Sequence, residues 1–273
     1  MSTIPPSAQS DQTDRDALAH QADCAAQADQ ADRTARAAQA DRTAQIAVTD
    51  RAARPVASAP DEVLLRLEQI GIVPVIVVDD PAHAGDLADA LVSGGLPVAE
   101  VTLRTAAGMQ TLRRMCARGD VLVGAGTVLT AEHVDMVVDA GASFVVSPGF
   151  SLDVIERCRH HNVAVIPGIA TATELQAAVV AGLGHVKFFP AGKMGGRPMI
   201  EALAGPFPDV RFMPSGGVSA ANVADYLASP AIFAAGGSWM ATQSLIATGQ
   251  FDEIARLSRE ASAIVALTAG ARQ

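Results

Sequence analysis

From Asp61 onward the chain alternates short β-branched or apolar runs with longer amphipathic stretches, and the runs begin near Ile72, Val98, Val121, Phe144, Ala164, His185, Arg211 and Ile232. The first and last starts lie 160 residues apart across seven steps, so each unit is about 23 residues, enough for one strand, one helix and two loops. Helical periodicity fills the intervals at Ala82–Val92, Ala131–Val138, Leu152–Cys158, Thr173–Val180 and Asn222–Leu227. Eight strand–helix units within residues 61–273 predict an α/β fold, a (β/α)8 TIM barrel and not an open doubly wound sheet. A leading helix at Asp61–Gln69 is expected to cap the bottom of the barrel, and a final one at Asp252–Leu267 to close the outer ring.

Residues 1–60 break this pattern. They are rich in Ala, Gln, Asp, Thr and Arg, contain no aromatic residue, and repeat Ala31-Asp-Arg-Thr-Ala35 as Ala40-Asp-Arg-Thr-Ala44. With little but alanine to bury, such a segment cannot offset the entropy of ordering. It reads as a disordered or weakly helical extension, ended by Arg54-Pro-Val-Ala-Ser-Ala-Pro60. Its eight Asp argue against a transit peptide.

Composition narrows the functional classes. The net charge of −9 sets the overall field against a phosphate-rich polymer, so no nucleic-acid partner is expected and any anionic substrate must be held by local groups. No apolar run is long enough for a membrane span, and the N-terminus lacks the layout of a secretion signal, which predicts a cytoplasmic protein without a membrane partner. Cys24, Cys116 and Cys158 are too scattered for a disulfide framework or a metal cluster. His160-His161 and Asp79-Asp80 read as solvated pairs, the second at a helix start. No metal is expected, because no H-x-H, H-E-x-x-H or paired acidic motif is present. The first strand is not followed by G-x-G-x-x-G, so no dinucleotide cofactor is expected either.

In a barrel of this kind the chemistry sits at the C-terminal ends of the strands. Strand two reads Val98-Ala-Glu-Val-Thr-Leu-Arg-Thr105, and alternation places Glu100, Thr102 and Arg104 on one face, looking into the barrel. Lys187 lies on strand six in His185-Val-Lys-Phe-Phe-Pro190, and the chain has only two lysines. A site needing only positive charge could use arginine, which occurs eighteen times, whereas a nucleophilic amine must be lysine. Moving that amine into an apolar slot lowers its pKa from about 10.4 toward neutrality and frees it to attack a ketone. The second lysine, Lys193, falls in Gly192-Lys-Met-Gly-Gly196 and reads as solvated or near the pocket rim. Gly124-Ala-Gly-Thr-Val128, Ser147-Pro-Gly149 and Pro167-Gly-Ile-Ala-Thr171 end the next strands with small residues or hydroxyls. Pro214-Ser-Gly-Gly217 and Ala235-Gly-Gly-Ser-Trp239 end strands seven and eight, where barrels build phosphate sites from backbone N–H groups.

A lysine of lowered pKa, a carboxylate, an arginine and a phosphate cradle on one rim fit a metal-free aldolase acting on a phosphorylated 2-keto acid; imine-based dehydration fits the same residues. The runs Gly71-Ile-Val-Pro-Val-Ile76, Glu100-Val-Thr-Leu-Arg-Thr105, Gly124-Ala-Gly-Thr-Val-Leu129, Ser147-Pro-Gly149, Ile166-Pro-Gly168, Lys187-Phe-Phe-Pro-Ala191, Arg211-Phe-Met-Pro-Ser-Gly-Gly217 and Gly236-Gly-Ser-Trp239 closely resemble the 2-keto-3-deoxy-6-phosphogluconate (KDPG) / 4-hydroxy-2-oxoglutarate (KHG) aldolase family, from about residue 62 to 265. The resemblance implies a class I lyase of the Entner–Doudoroff route that releases pyruvate and D-glyceraldehyde 3-phosphate, with activity on 4-hydroxy-2-oxoglutarate as well, no cofactor, and a homotrimer.

Position by position, the resemblance makes Lys187 the Schiff-base residue and Glu100 the acid/base. It places Arg104 and Thr127 at the pyruvyl carboxylate, with Pro148 and Phe189 lining the pyruvyl pocket. Ser215 is expected at a substrate hydroxyl, and Gly216, Gly217, Gly237 and Ser238 at the phosphate. Two departures stand out: Gly-Lys-Met-Gly-Gly replaces a loop that is often acidic in relatives, and residues 1–60 have no counterpart. Two rival readings are an aldolase for the galactonate epimer, against which the hydroxyl of Ser215 argues, and a sugar-phosphate-binding barrel without catalysis, against which joint retention of Lys187, Glu100 and Arg104 argues.

Overall fold

The structure is a computed structural model that describes residues 59–270. The expected extension lies outside the described residues except for its last two positions, of which Pro60 opens the first helix. That helix, α1 (Pro60–Ile70), is followed by β1 (Ile72–Ile76), α2 (Ala84–Ser93), β2 (Val98–Thr102), α3 (Gly108–Cys116), β3 (Leu122–Gly126) and α4 (Ala131–Asp139). Then come β4 (Phe144–Val146), α5 (Leu152–His160), β5 (Ala164–Ile166), β6 (Gly168–Ile169), α6 (Ala172–Val180), β7 (His185–Phe188) and α7 (Gly196–Ala204). β8 (Arg211–Pro214), α8 (Val223–Ala228), β9 (Ala235–Gly237), α9 (Gln243–Ala247) and α10 (Phe251–Gly270) complete the chain.

All paired strands run parallel, in the order β5-β4-β3-β2-β1-β9 and, separately, β6-β7-β8. The two sheets follow one another around a barrel that is not fully closed by ladder pairing. Pro167 divides the fifth barrel strand into β5 and β6, because proline has no N–H for the ladder, yet its carbonyl still accepts from the Lys187 backbone N–H at 2.8 Å. The other seam, between β8 and β9, is closed by single bridges, Phe212 to Ile232 and Ser215 to Gly236. The last strand accordingly starts at Ala235, three residues later than its apolar run suggests.

Period-two alternation sorts the strand residues into two cores. Ala99, Val101, Val123, Ala125, Val145 and Val186 face outward onto helix residues such as Leu87, Leu91, Leu112, Val134 and Ile155. Val73, Val98, Leu122, Phe144, Met213 and Phe233 fill the lower interior together with Val63 and Leu67 of α1, which caps the bottom as expected. Gly124 makes room on the axis, since a Cβ there would overlap the Phe144 ring. At the other rim the turns into the helices are held by side-chain caps: Thr130 accepts from the His133 N–H, Ser151 from Val154 and Thr242 from Leu245. Thr171 and Glu174 cap α6 reciprocally, a device that satisfies N–H groups a helix start leaves unpaired.

Candidate active site

Glu100 and Lys187 come from strands on different sides of the barrel and meet inside it: the Lys187 Nζ donates to Glu100 Oε1 at 3.1 Å. Their side chains are 7% and 1% exposed. Two full charges removed from water are tolerated only when they compensate each other, and this pair does so in the layer directly above the apolar plug, since Val98 and Glu100 share the inward face of β2. The ammonium also stands 5.3 Å from the centre of the Phe189 ring, close enough for attraction to its π face. The lysine is buried as expected, but in company with a carboxylate and not in a purely apolar slot. The second carboxylate oxygen, Glu100 Oε2, is buried and has no hydrogen-bond partner among the described residues, leaving an acceptor free.

Gly126 holds this geometry open. A Cβ on it would overlap Glu100 Oε1 and sit 2.8 Å from Cγ and 3.0 Å from Cδ. The short Gly-Ala-Gly run therefore has a specific task that only the cross-strand register reveals: Gly126 lies opposite Thr102, two residues above Glu100. Thr102 Oγ1 donates to the Ile76 carbonyl at 2.8 Å and Thr105 Oγ1 to the Val78 carbonyl at 2.5 Å, tying the end of β2 to the end of β1.

β2 stops at Thr102 and the chain turns, so strand alternation does not extend to Arg104. That side chain is exposed beyond the strand's end, whereas Glu100 and Thr102 are buried. Thr127, the first residue after β3, is partly buried and holds a φ of +60°, which is costly for a β-branched residue and persists where surroundings enforce it. Pro148 is partly buried after β4, and its carbonyl packs so closely on Gly168 that a Cβ there would overlap it. Phe189 is partly buried immediately above Lys187.

Across the mouth, Ser215 is buried at 4% exposure and leads into Gly216 and Gly217, whose φ values of +84° and +89° are accessible chiefly to glycine. Both carbonyls of this turn are engaged: Gly216 O accepts from the Gly192 N–H at 2.8 Å and Gly217 O from Asn222 Nδ2 at 2.9 Å. Asn222 also accepts from the Ser219 N–H at 2.8 Å. With the carbonyls turned away, the N–H groups of Gly216 and Gly217 bond no acceptor among the described residues. Gly237 is buried under Trp239, whose ring a Cβ would overlap, and Ser238 is exposed beside it. Gly216 and Gly217 thus present neutral N–H donors suited to an anion. Asn222 was not singled out from the sequence as a site residue; it reads there only as the first residue of an expected helix, and its bond back to Gly217, five residues earlier, emerges from the fold of the turn.

The remaining polar groups serve structure. Asp80 caps a short turn by accepting from the Ala82 N–H, and Asp79 accepts from Gln243 Nε2 at 2.7 Å. His161 is not simply solvated: its Nε2 lies 2.6 Å from Asp135 Oδ1. Arg157 bonds both oxygens of Asp135 and, together with His161, holds that carboxyl below its ordinary range. Burial pushes the Cys116 and Cys158 thiols up to about 12, so neither is an activated nucleophile. Cys24 lies outside the described residues. Among those residues no three His, Cys, Asp or Glu gather as a metal site, and no helix is long and apolar enough to cross a membrane.

A family model for KDPG and KHG aldolases matches residues 63–257. The 2-dehydro-3-deoxy-phosphogluconate aldolase of Treponema pallidum is 46% identical over 202 residues, covering 73% of this chain and 95% of its own. The solved KDPG aldolase of Legionella pneumophila, with pyruvate captured at low pH as a covalent carbinolamine intermediate, is 37% identical with a TM-score of 0.70, over 74% of this chain and 97% of that one. The Zymomonas mobilis 2-keto-3-deoxy-6-phosphogluconate aldolase with 3-phosphoglycerate is 39% identical with a TM-score of 0.68, over 75% and 95%.

Proposed function

Since the chain belongs to the KDPG and KHG aldolase family, we propose that it is a class I, Schiff-base aldolase that cleaves 2-keto-3-deoxy-6-phosphogluconate to pyruvate and D-glyceraldehyde 3-phosphate, and 4-hydroxy-2-oxoglutarate to pyruvate and glyoxylate. The observation that carries this reading is the buried contact between Lys187 Nζ and Glu100 Oε1 at the catalytic rim. Glu100 accepts a proton from Lys187, and the neutral amine attacks the C2 carbonyl of the substrate. Loss of water, with its proton supplied by Glu100, forms the iminium. Glu100 then takes the proton of the C4 hydroxyl, the C3–C4 electron pair moves into the iminium, and the aldehyde leaves. The resulting enamine is protonated at C3, and water returns to C2 to release pyruvate and restore the amine.

Around this centre Arg104 and Thr127 take the substrate carboxylate, Arg104 swinging in from its exposed position, while Pro148 and Phe189 exclude water from the imine. Ser215 takes a hydroxyl of the sugar acid, and Gly216, Gly217, Gly237 and Ser238 take the phosphate through backbone and hydroxyl donors. The barrel, residues 61–273, is the catalytic domain, with residues 1–60 an appendage to it. The enzyme works as a homotrimer in the cytoplasm, at the last step of the Entner–Doudoroff route.

Borohydride reduction in the presence of pyruvate, followed by intact mass and peptide mapping, tests the chemistry. A pyruvyl adduct on Lys187 that vanishes in Lys187→Arg is the expected result. No adduct, or one on Lys193, would leave a sugar-phosphate-binding barrel without catalysis as the better account.

A further inference from the structure

The loop that follows the catalytic strand carries the chain's other lysine, and the fold gives it a definite neighbour. After β7 the backbone forms a short 3-10 turn, Ala191–Lys193, stitched to the glycine turn after β8: Ala191 N–H donates to Ser215 O and Gly192 N–H to Gly216 O, each at 2.8 Å. The packing is so close that a Cβ on Gly217 would lie 3.1 Å from the Gly192 Cα. Lys193 is therefore one residue from the wall of the anion cradle, and its four-carbon stem starts at the mouth.

Charge makes that placement informative. The cradle offers neutral N–H donors, the whole protein carries −9, and a phosphate monoester brings about −1.5 to −2. Of the two cations on this segment, Arg197 is already engaged by Glu201 at 3.0 Å and Asp225 at 2.7 Å. Lys193 is exposed and makes no ion pair among the described residues. A lysine without an ion pair, one residue from an electrically neutral anion site, is within a side chain's reach of a bound phosphate.

We propose that Lys193 is a specificity-determining residue, whose ammonium pairs with the phosphate held at Gly216–Gly217 and so favours phosphorylated over unphosphorylated 2-keto acid substrates. This rests on the aldolase reading above and adds to it a side-chain charge at the phosphate end. The test compares steady-state cleavage of 2-keto-3-deoxy-6-phosphogluconate and of 4-hydroxy-2-oxoglutarate by the full-length wild type, Lys193→Ala, Lys193→Glu and Lys193→Arg. Lys193→Ala is expected to raise KM for the phosphorylated substrate about threefold to fivefold, the range of an exposed ion pair. Lys193→Glu should raise it further, Lys193→Arg should restore it, and KM for the unphosphorylated substrate should not follow the series. Wild-type KM for the phosphorylated substrate should also rise more steeply with salt than that of Lys193→Ala. Equal changes for both substrates, or no change in either, would overturn the assignment while leaving the aldolase reading intact. A wild type that cleaves neither substrate would remove the aldolase reading and this inference together.

Discussion

The two halves of the barrel interior are built from the same strands and differ in almost every physical respect. Below, Val98, Phe144, Met213 and Phe233 pack with Val63 and Leu67 of α1 into a dry plug in which each of these side chains is essentially buried. Above, two residues further along β2, Glu100 meets Lys187 as a buried ion pair with one carboxylate oxygen unpartnered, ringed by Thr127 at positive φ and by glycine turns with unused N–H groups. Apolar packing is favourable in itself; a desolvated pair, an orphaned acceptor and a left-handed threonine each cost free energy. The lower half supplies the stability that the upper half draws upon, which is the division expected of a scaffold that keeps a reactive constellation pre-formed.

Substitutions on either side of this boundary should separate by what they damage. Phe144→Ala removes a fully buried aromatic ring from the axis and should cost about 3–5 kcal/mol of stability, read as a lower midpoint in urea, while the Lys187–Glu100 geometry above it survives at temperatures where the variant is folded. Gly126→Ala should do the reverse. Its new methyl group has to displace the Glu100 carboxylate, so kcat should fall by about a hundredfold or more with a much smaller shift in melting temperature. A variant of Gly126 that melts early yet turns over normally when folded would show that the glycine serves packing alone. The smallest effect concerns acid. His185, at the start of β7, lies edge-on to Phe233 at 4.9 Å, and burial lowers its pKa below the ordinary value of 6.5. The unfolded chain therefore binds a proton there that the folded one resists, and stability should fall as pH drops below about 6.5. His185→Gln should flatten that slope in denaturation curves at pH 5 to 7, without altering the site above it.

The strand starts were legible because each is a local matter of a few β-branched residues, and seven of the eight lie within one residue of where the apolar runs begin. Ile232 is the exception: it meets Phe212 through one bridge only, so apolar character there marks burial and not a strand. Helix α7 was harder to foresee, since Gly195-Gly196 and Pro198 interrupt its periodicity. Arg104 lies past the last residue of β2, and its side chain is exposed. Alternation predicts direction only while the strand lasts, and the hydrogen bonds of Thr102 and Thr105 to the neighbouring β1 segment end it early.

By itself the sequence determined the repeating strand–helix plan, the inward face of β2, the singularity of Lys187 and the glycine turns at the last two strand ends, because periodicity, residue chemistry and backbone permissiveness are properties of short stretches. Tertiary structure decided that Lys187 and Glu100, 87 residues apart, share one hydrogen bond. It also decided that Gly126 is small on behalf of a carboxylate on another strand, and that the Lys193 loop is stitched to the Gly216 turn. Each of these depends on barrel closure and strand register, which bring distant segments to a few ångströms and which no local pattern encodes.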